Sequence, residues 1–190
     1  RIKTIYSNIY FKHIDEKNYY RFKDKTPKNL YPAILKLELF KMINYKKIIC
    51  FDVDTICLGS INYLLINDFA FAAVQGGDNY NKIINNSSKF NRNIPFNTGI
   101  MVVGHQMLSI KNYNKLINFK GFAKTADQSI LNEFLKFYPV YSLPIEYNFF
   151  ADIFHNHFKN HKVKILHYKG PKPHLKKFQP LASFWNDFTL

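Results

Sequence analysis

The segment KKIICFDVD, residues 46–54, constrains this chain more than any other. A short β-rich run, Lys47 to Phe51, apolar from Ile48 onward, stops abruptly at two acids, Asp52 and Asp54. Apolar residues at successive positions suit a strand covered on both faces, as in parallel sheets, and such strands deliver functional groups at their carboxyl ends. Residues two apart in extended chain point to the same side, so the two carboxylates are expected to converge. Like charges held together repel unless a cation lies between them. Hard divalent ions such as Mg2+ and Mn2+ take carboxylate oxygens and share their remaining positions with phosphate oxygens, which makes a metal–diphosphate site the natural use of the pair. Two solvated carboxylates in a loop remain the plain alternative.

Around this triplet, strand-like and helix-like segments alternate. Ile2 to Ile14 reads as containing a strand, Asp15 to Asn29 as too polar for a core, and Gly76 to Asn93 as an exposed loop. Leu30 to Asn44 reads as a helix with Pro32 in its first turn and Leu35, Leu39, Met42 and Ile43 on its apolar side. Phe69 to Val74, Thr98 to Val103 and Lys162 to Leu166 read as strands, and His105 to Phe119 as a helix. Ala126 to Tyr138 reads as another helix that turns Ile130, Leu131, Phe134 and Leu135 inward. Such interleaving predicts an α/β sandwich around a mostly parallel sheet. At 190 residues the chain is expected to form one domain, residues 1–190.

The net charge of +14 favours an anionic partner such as a nucleotide diphosphate. Coding bias explains it equally well: Arg1, Arg21 and Arg92 are the only arginines, and the remaining basic residues are lysines. These lysines are scattered and no RNA-binding or helix-turn-helix signature accompanies them, so no nucleic-acid partner is expected. No run of roughly 20 apolar residues offers a membrane span, and a cytoplasmic protein is expected. Cys50 and Cys57, too few for a disulfide framework, read as buried reduced thiols.

Six segments in order, ILKLELF, FDVDTICLGSINYL, FNTGIMVV, ADQSILNEFL, LPIEYNF and KILHYKGPKPH, together resemble glycosyltransferase family 8, with a spelling closest to its glycogenin-like members. The resemblance implies a retaining hexosyltransferase with a GT-A type, Rossmann-like three-layer fold, using a UDP-sugar, with glucose or galactose favoured, and Mn2+, with Mg2+ as the substitute. It implies metal ligands at Asp52, Asp54 and His167. His167 follows the strand KVKIL, where its imidazole can meet the carboxylates. It further places Lys36, Val53, Asn97, Thr98, Gly170 and Lys172 around the nucleotide-sugar, and Asp127 and Gln128 beside the transferred sugar as the catalytic pair. The acceptor, whether glycan, protein or lipid, is not legible.

Departures from the family pattern accompany the match. Only 51 residues precede Asp52, so the chain is expected to be either a shortened member or a fragment lacking the first strand–helix unit. HYKGPKPH is one residue shorter than the usual motif and puts His174 where the family has Trp, and Gln75 stands where glycogenin-like enzymes carry an acid. Two rival readings remain. Dehalogenase-type Mg2+ phosphatases also carry an Asp-x-Asp after a strand, with the first acid as nucleophile, although Thr55 and Ile56 fit their continuation only in part. A catalytically degenerate domain that binds nucleotide-sugar or glycan is the other.

Overall fold

A computed structural model describes residues 9–76, 79–85, 91, 93–121, 123–169 and 181–186. Its strands are β1 (Lys47–Phe51), β2 (Thr55–Cys57), β3 (Phe71–Gln75), β4 (Phe96–Gly104), β5 (Tyr141–Ser142), β6 (Phe149–Phe150) and β7 (Ile165–His167). The α-helices are α1 (Asn62–Ile66), α2 (Tyr80–Asn85), α3 (Ile110–Ile117), α4 (Asp127–Phe134), α5 (Ala151–Phe154) and α6 (Ala182–Asn186). Two 3₁₀ helices, Glu16–Lys25 and Tyr31–Lys41, precede β1.

The main sheet has the order β1-β4-β3-β5. Its strands β1, β3 and β5 share one direction, because β4 pairs antiparallel with both β1 and β3 while β5 pairs parallel with β3. The sheet is therefore mostly parallel by direction, with one reversed strand in its middle. Among the described residues β1 lies at the edge and is only half-buried, so its continuous apolar run belongs to an edge strand laid antiparallel on β4.

Period-two alternation divides the core between the two faces of this sheet. Met101 and Val103 of β4 join Phe71 and Ala73 of β3 on one face. Ile100 and Val102 join Ala72 and Val74 on the other. The first face is covered by both 3₁₀ helices, α3 and α4. A second sheet, of order β2-β7-β6, packs with α5 against the other. Three layers result, in agreement with the expected sandwich.

Periodicity explains where the helical expectations fail. A 3₁₀ helix repeats every three residues, so positions i and i+3 stack. In Tyr31–Lys41 the buried stripe is accordingly Ile34, Leu37 and Phe40, each without exposed surface. Leu35, Leu39 and Met42 are only partly buried and Ile43 is exposed, contrary to the face an α-helical period predicts. The polar stretch from Asp15 is also not excluded from the core: Tyr19 and Phe22, again three apart, are fully buried. Leu37→Ala is expected to cost about 2–5 kcal/mol in urea or thermal melts, and Leu35→Ala clearly less. Equal costs would sink the three-residue register.

Other bounds shift for local reasons. Helix α3 begins at Ile110 because the Ser109 side chain accepts the Asn112 backbone N–H, and His105 to Met107 form a turn instead. Ile130, Leu131 and Leu135 are buried as expected, while Phe134 is partly buried. Residues 9–14 hold no strand, and the rest of that expected strand lies outside the described residues. The expected loop from Gly76 contains α2, whose Ile83 is buried. Both cysteines are free, but Cys57 is exposed, since Ile56 takes the inward position of β2.

Candidate functional site

The carboxyl end of β1 meets the second sheet in a cleft of about 380 Å³ that contains Lys36, Asp52, Asp54, Asn97, Thr98, Asp127, Gln128 and His167. Asp52 and Asp54 leave the strand in a turn, so their convergence is a property of that turn, not of extended chain. The Asp52 N–H donates to the Gly99 carbonyl at 2.8 Å and the Thr55 hydroxyl donates to the Asp52 carbonyl at 2.7 Å, pinning both ends of the turn. Val53, between the acids, is 99% exposed and its side chain does not line the cleft.

His167 comes to the acids through the second sheet. Thr55 of β2 pairs with His167 of β7, and the Tyr168 N–H donates to the Asp54 carbonyl at 2.9 Å. The His167 Nε2 then lies 3.4 Å from Asp54 Oδ1 and 3.9 Å from Asp52 Oδ2. One ligand atom from each of Asp52, Asp54 and His167 falls within 4.8 Å of the others, a spacing that a single cation can bridge.

Lys36 reaches the cleft because the same three-residue period that buries Ile34 and Leu37 aligns Leu30, Ala33 and Lys36 along the opening. Its ammonium pairs with Asp52, lies 3.5 Å from Asp127 Oδ2, and donates to the Thr98 carbonyl at 3.2 Å. Burial works to lower its pKa, but the Asp127 and Asp52 carboxylates prevail and hold it above the ordinary lysine range. Asp127 moves the other way in terms of charge: burial pushes its carboxyl up to about 6, against the opposing pull of Lys36 and the Thr98 hydroxyl. These shifts conflict if Lys36 and Asp127 are taken as one ion pair. The geometry resolves it, since Lys36 makes its close contact with Asp52 and leaves Asp127 undercompensated. Asp127 Oδ2 is buried without a hydrogen bond; its relation to Lys36 is one of charge alone. An unsatisfied buried oxygen in a cleft is the chemistry of a group awaiting a donor.

Ala126, which precedes α4, adopts φ 51° and ψ −128°, a conformation that side chains disfavour, and is buried. That bend sets Asp127 and Gln128 on the first turn facing the cleft. Polar contacts continue from there: Asn97 Nδ2 donates to Gln128 Oε1 at 3.0 Å, and Asn148 Nδ2 donates to Asn97 Oδ1 at 2.7 Å. The Asn148 Oδ1 is 2.8 Å from His167 Nδ1. Gly99 permits this crowding. A Cβ there would sit 2.3 Å from His167 Cε1 and 2.8 Å from Asn97 Oδ1. Gly99→Ala is therefore expected to displace the imidazole, destabilise the fold by about 1–3 kcal/mol and weaken divalent-ion binding, read by calorimetric titration.

Of the expected site residues, the structure brings Lys36, Asp52, Asp54, Asn97, Thr98, Asp127, Gln128 and His167 together, whereas Gly170 and Lys172 lie outside the described residues. Asn148 was not singled out by the sequence reading, though LPIEYNF contains it. Lys169, also missed, lines the cleft with its ammonium 5.2 Å from the centre of the Phe150 ring. A larger hollow of about 790 Å³ opens at the start of β1, lined by residues such as Ile43, Tyr45 and Ile66. Among the described residues it gathers no group of three metal-ligating side chains, whereas the smaller cleft does.

Comparison with known proteins gives a family-level answer. The profile described as Glycosyl transferase family 8 matches residues 1–176. No curated protein matches. Among solved structures, the galactosyltransferase LgtC in complex with donor and acceptor sugar analogues is 19% identical, with a TM-score of 0.71 over 95% of this chain and 74% of that one. The bifunctional glycosyltransferase WbbM is 20% identical, with a TM-score of 0.63 over 83% of this chain, which spans only 35% of WbbM. GlyE of Streptococcus pneumoniae TIGR4 is 22% identical, with a TM-score of 0.56 over 80% of this chain and 42% of that one. At these identities the likeness establishes the GT-A fold.

Proposed function

Because the chain belongs to glycosyl transferase family 8, we propose that it transfers a hexose, glucose or galactose, from a UDP-sugar to an acceptor with retention of anomeric configuration, using Mn2+ or Mg2+. The observation that carries this reading is the convergence of Asp52, Asp54 and His167 in the same cleft as Lys36 and Asp127. Phosphate chemistry alone does not require a buried carboxylate oxygen that has the charge of Lys36 nearby but no hydrogen bond; a sugar hydroxyl would give that oxygen its donor.

Asp52, Asp54 and His167 would hold the divalent ion, with two oxygens and one nitrogen suited to Mn2+ or Mg2+. When bound, the ion neutralises the charge that develops on a departing diphosphate. The chain's own groups do the rest. Lys36 adds a fixed positive charge that needs no rearrangement as the leaving group forms, the condition under which electrostatics lower a barrier most. Lys169, and Lys172 beyond the described residues, are assigned to the same diphosphate. Asp127 accepts from a hydroxyl of the transferred sugar and Gln128 donates its Nε2 hydrogens there, which orients the anomeric carbon. Asn97 and Thr98 frame the sugar from β4.

No helix among the described residues is long and apolar enough to cross a membrane. A UDP-release assay over several UDP-sugars with Mn2+ tests the activity. Release with one hexose donor, abolished by chelator, supports it; no release and no Mn2+- or UDP-induced thermal shift would overturn it. Phosphate release from a generic ester that survives His167→Ala would point back to the phosphatase reading.

A further inference from the structure

We propose that Asn148 is a positioning residue of the ligand cluster: anchored by Asn97, it holds His167 protonated on Nδ1 and so turns the Nε2 lone pair toward Asp52 and Asp54. The purpose of this arrangement rests on the metal-site reading above, while the hydrogen-bond polarity stands on geometry alone.

The polarity follows from one backbone group. The Gly99 N–H can only donate, so the Asn97 atom 2.8 Å away is the carbonyl oxygen and not the amide nitrogen. That oxygen lies 2.7 Å from a side-chain atom of Asn148, which must be the nitrogen because two oxygens lack a proton to share. Asn148 therefore presents its oxygen to His167 Nδ1 at 2.8 Å, and Nδ1 must carry the hydrogen. Ordinarily an amide flip and an imidazole tautomer are interchangeable choices. Here neither is free.

In the neutral ring the lone pair then falls on Nε2, facing Asp54 Oδ1 at 3.4 Å and Asp52 Oδ2 at 3.9 Å. An acceptor turned toward two carboxylates is unfavourable unless something positive joins them, which is the arrangement a cation site needs. The ring cannot escape by rotation. Gly99 lies directly against Cε1 and Nδ1, and Phe150 meets the ring edge-on at 5.4 Å between centres. Asn148 itself has no exposed surface, so water does not substitute for its oxygen.

Two variants separate positioning from packing. Asn148→Leu keeps the same branched skeleton of side-chain heavy atoms, though bulkier, with neither donor nor acceptor. Asn97→Asp keeps the oxygen that accepts from Gly99 and Asn148, so the Asn148 amide stays anchored. The first readout is the 15N-edited imidazole spectrum of the metal-free protein at a pH that leaves the rings neutral, with His167 identified by its loss in His167→Gln. The parent and Asn97→Asp are expected to show the Nδ1–H tautomer, and Asn148→Leu a mixture. The second readout is Mn2+ binding without nucleotide, followed by electron paramagnetic resonance of the free ion. Asn148→Leu is expected to weaken it about 10–100-fold, and Asn97→Asp not to weaken it.

An Nε2–H tautomer in the parent overturns the proposal, and that readout does not depend on Asn148→Leu folding. So does an Asn148→Leu protein with parental tautomer and affinity, which would make Asn148 a packing residue. A parent that shows the Nδ1–H tautomer set by Asn148 but binds no Mn2+ upholds the positioning and instead removes the metal reading of the function.

Discussion

Asp54→Asn is expected to abolish Mn2+ binding and to lower UDP-sugar turnover by more than about 100-fold, the scale on which even residues behind the ligands act. The carboxylate sits opposite the His167 Nε2 at 3.4 Å, next to the β2–β7 pairing of Thr55 with His167. Thermal melts should separate this loss from a folding defect. The parent should gain melting temperature with Mn2+ and UDP together, in proportion to ligand excess over Kd, and the variant should gain none while melting within a few degrees of the unliganded parent. Turnover that survives the substitution would remove the metal from the reaction.

Asp127→Asn should uncouple activity from stability. Turnover is expected to fall about 10²–10³-fold, as when one group that interacts with the reacting centre is removed. Stability at neutral pH should hold or rise. The carboxyl, 3% exposed, titrates at about 6 in the fold against 3.8 as a free side chain, so the folded state binds the proton more tightly. Between those values the fold keeps a proton that the unfolded chain has released, and stability therefore falls as pH rises from about 4 to about 6, then levels off. The full difference corresponds to about 3 kcal/mol, an upper bound for what the neutral amide restores. Melting the two proteins at pH 5 and pH 7.5 checks the sign: the parent should lose ground to Asp127→Asn at the higher value. The opposite trend would make Asp127 a helix-capping acid whose charge the fold wants.

Much of this was legible in the sequence, and the failures share causes. The run ending at Asp52 fixed β1 to the residue, because length, apolarity and an abrupt charge coincide there. Its partner did not follow, since nothing in Lys47–Phe51 distinguishes a strand flanked by parallel neighbours from one laid on a reversed β4. The helix before it was found but wound on the wrong period, and that error hid why Lys36 faces the cleft. Tyr19 and Phe22 were hidden by the charged residues around them, although their spacing of three was visible. Asp52 and Asp54 were named from their own chemistry and His167 from a resemblance, and the three lie close together. Asn148 escaped because an asparagine between aromatic residues has no local signature; its meaning lies in the backbone N–H of Gly99, which no sequence pattern displays.

The pairing of Thr55 with His167 gives the protein a test of its own completion. The Asp-x-Asp turn is synthesised before β7, the strand that carries the imidazole, and closing so long a loop between them is entropically costly and slow. A nascent or unfolded chain presents two acids with no nitrogen between them. Only when β7 docks against β2 does the third ligand appear. On the proposed metal site, tight divalent-ion capture, and the stabilisation that comes with it, would thus belong to the finished fold and not to its precursors, so that a bound ion would reward the closure of β7 on β2.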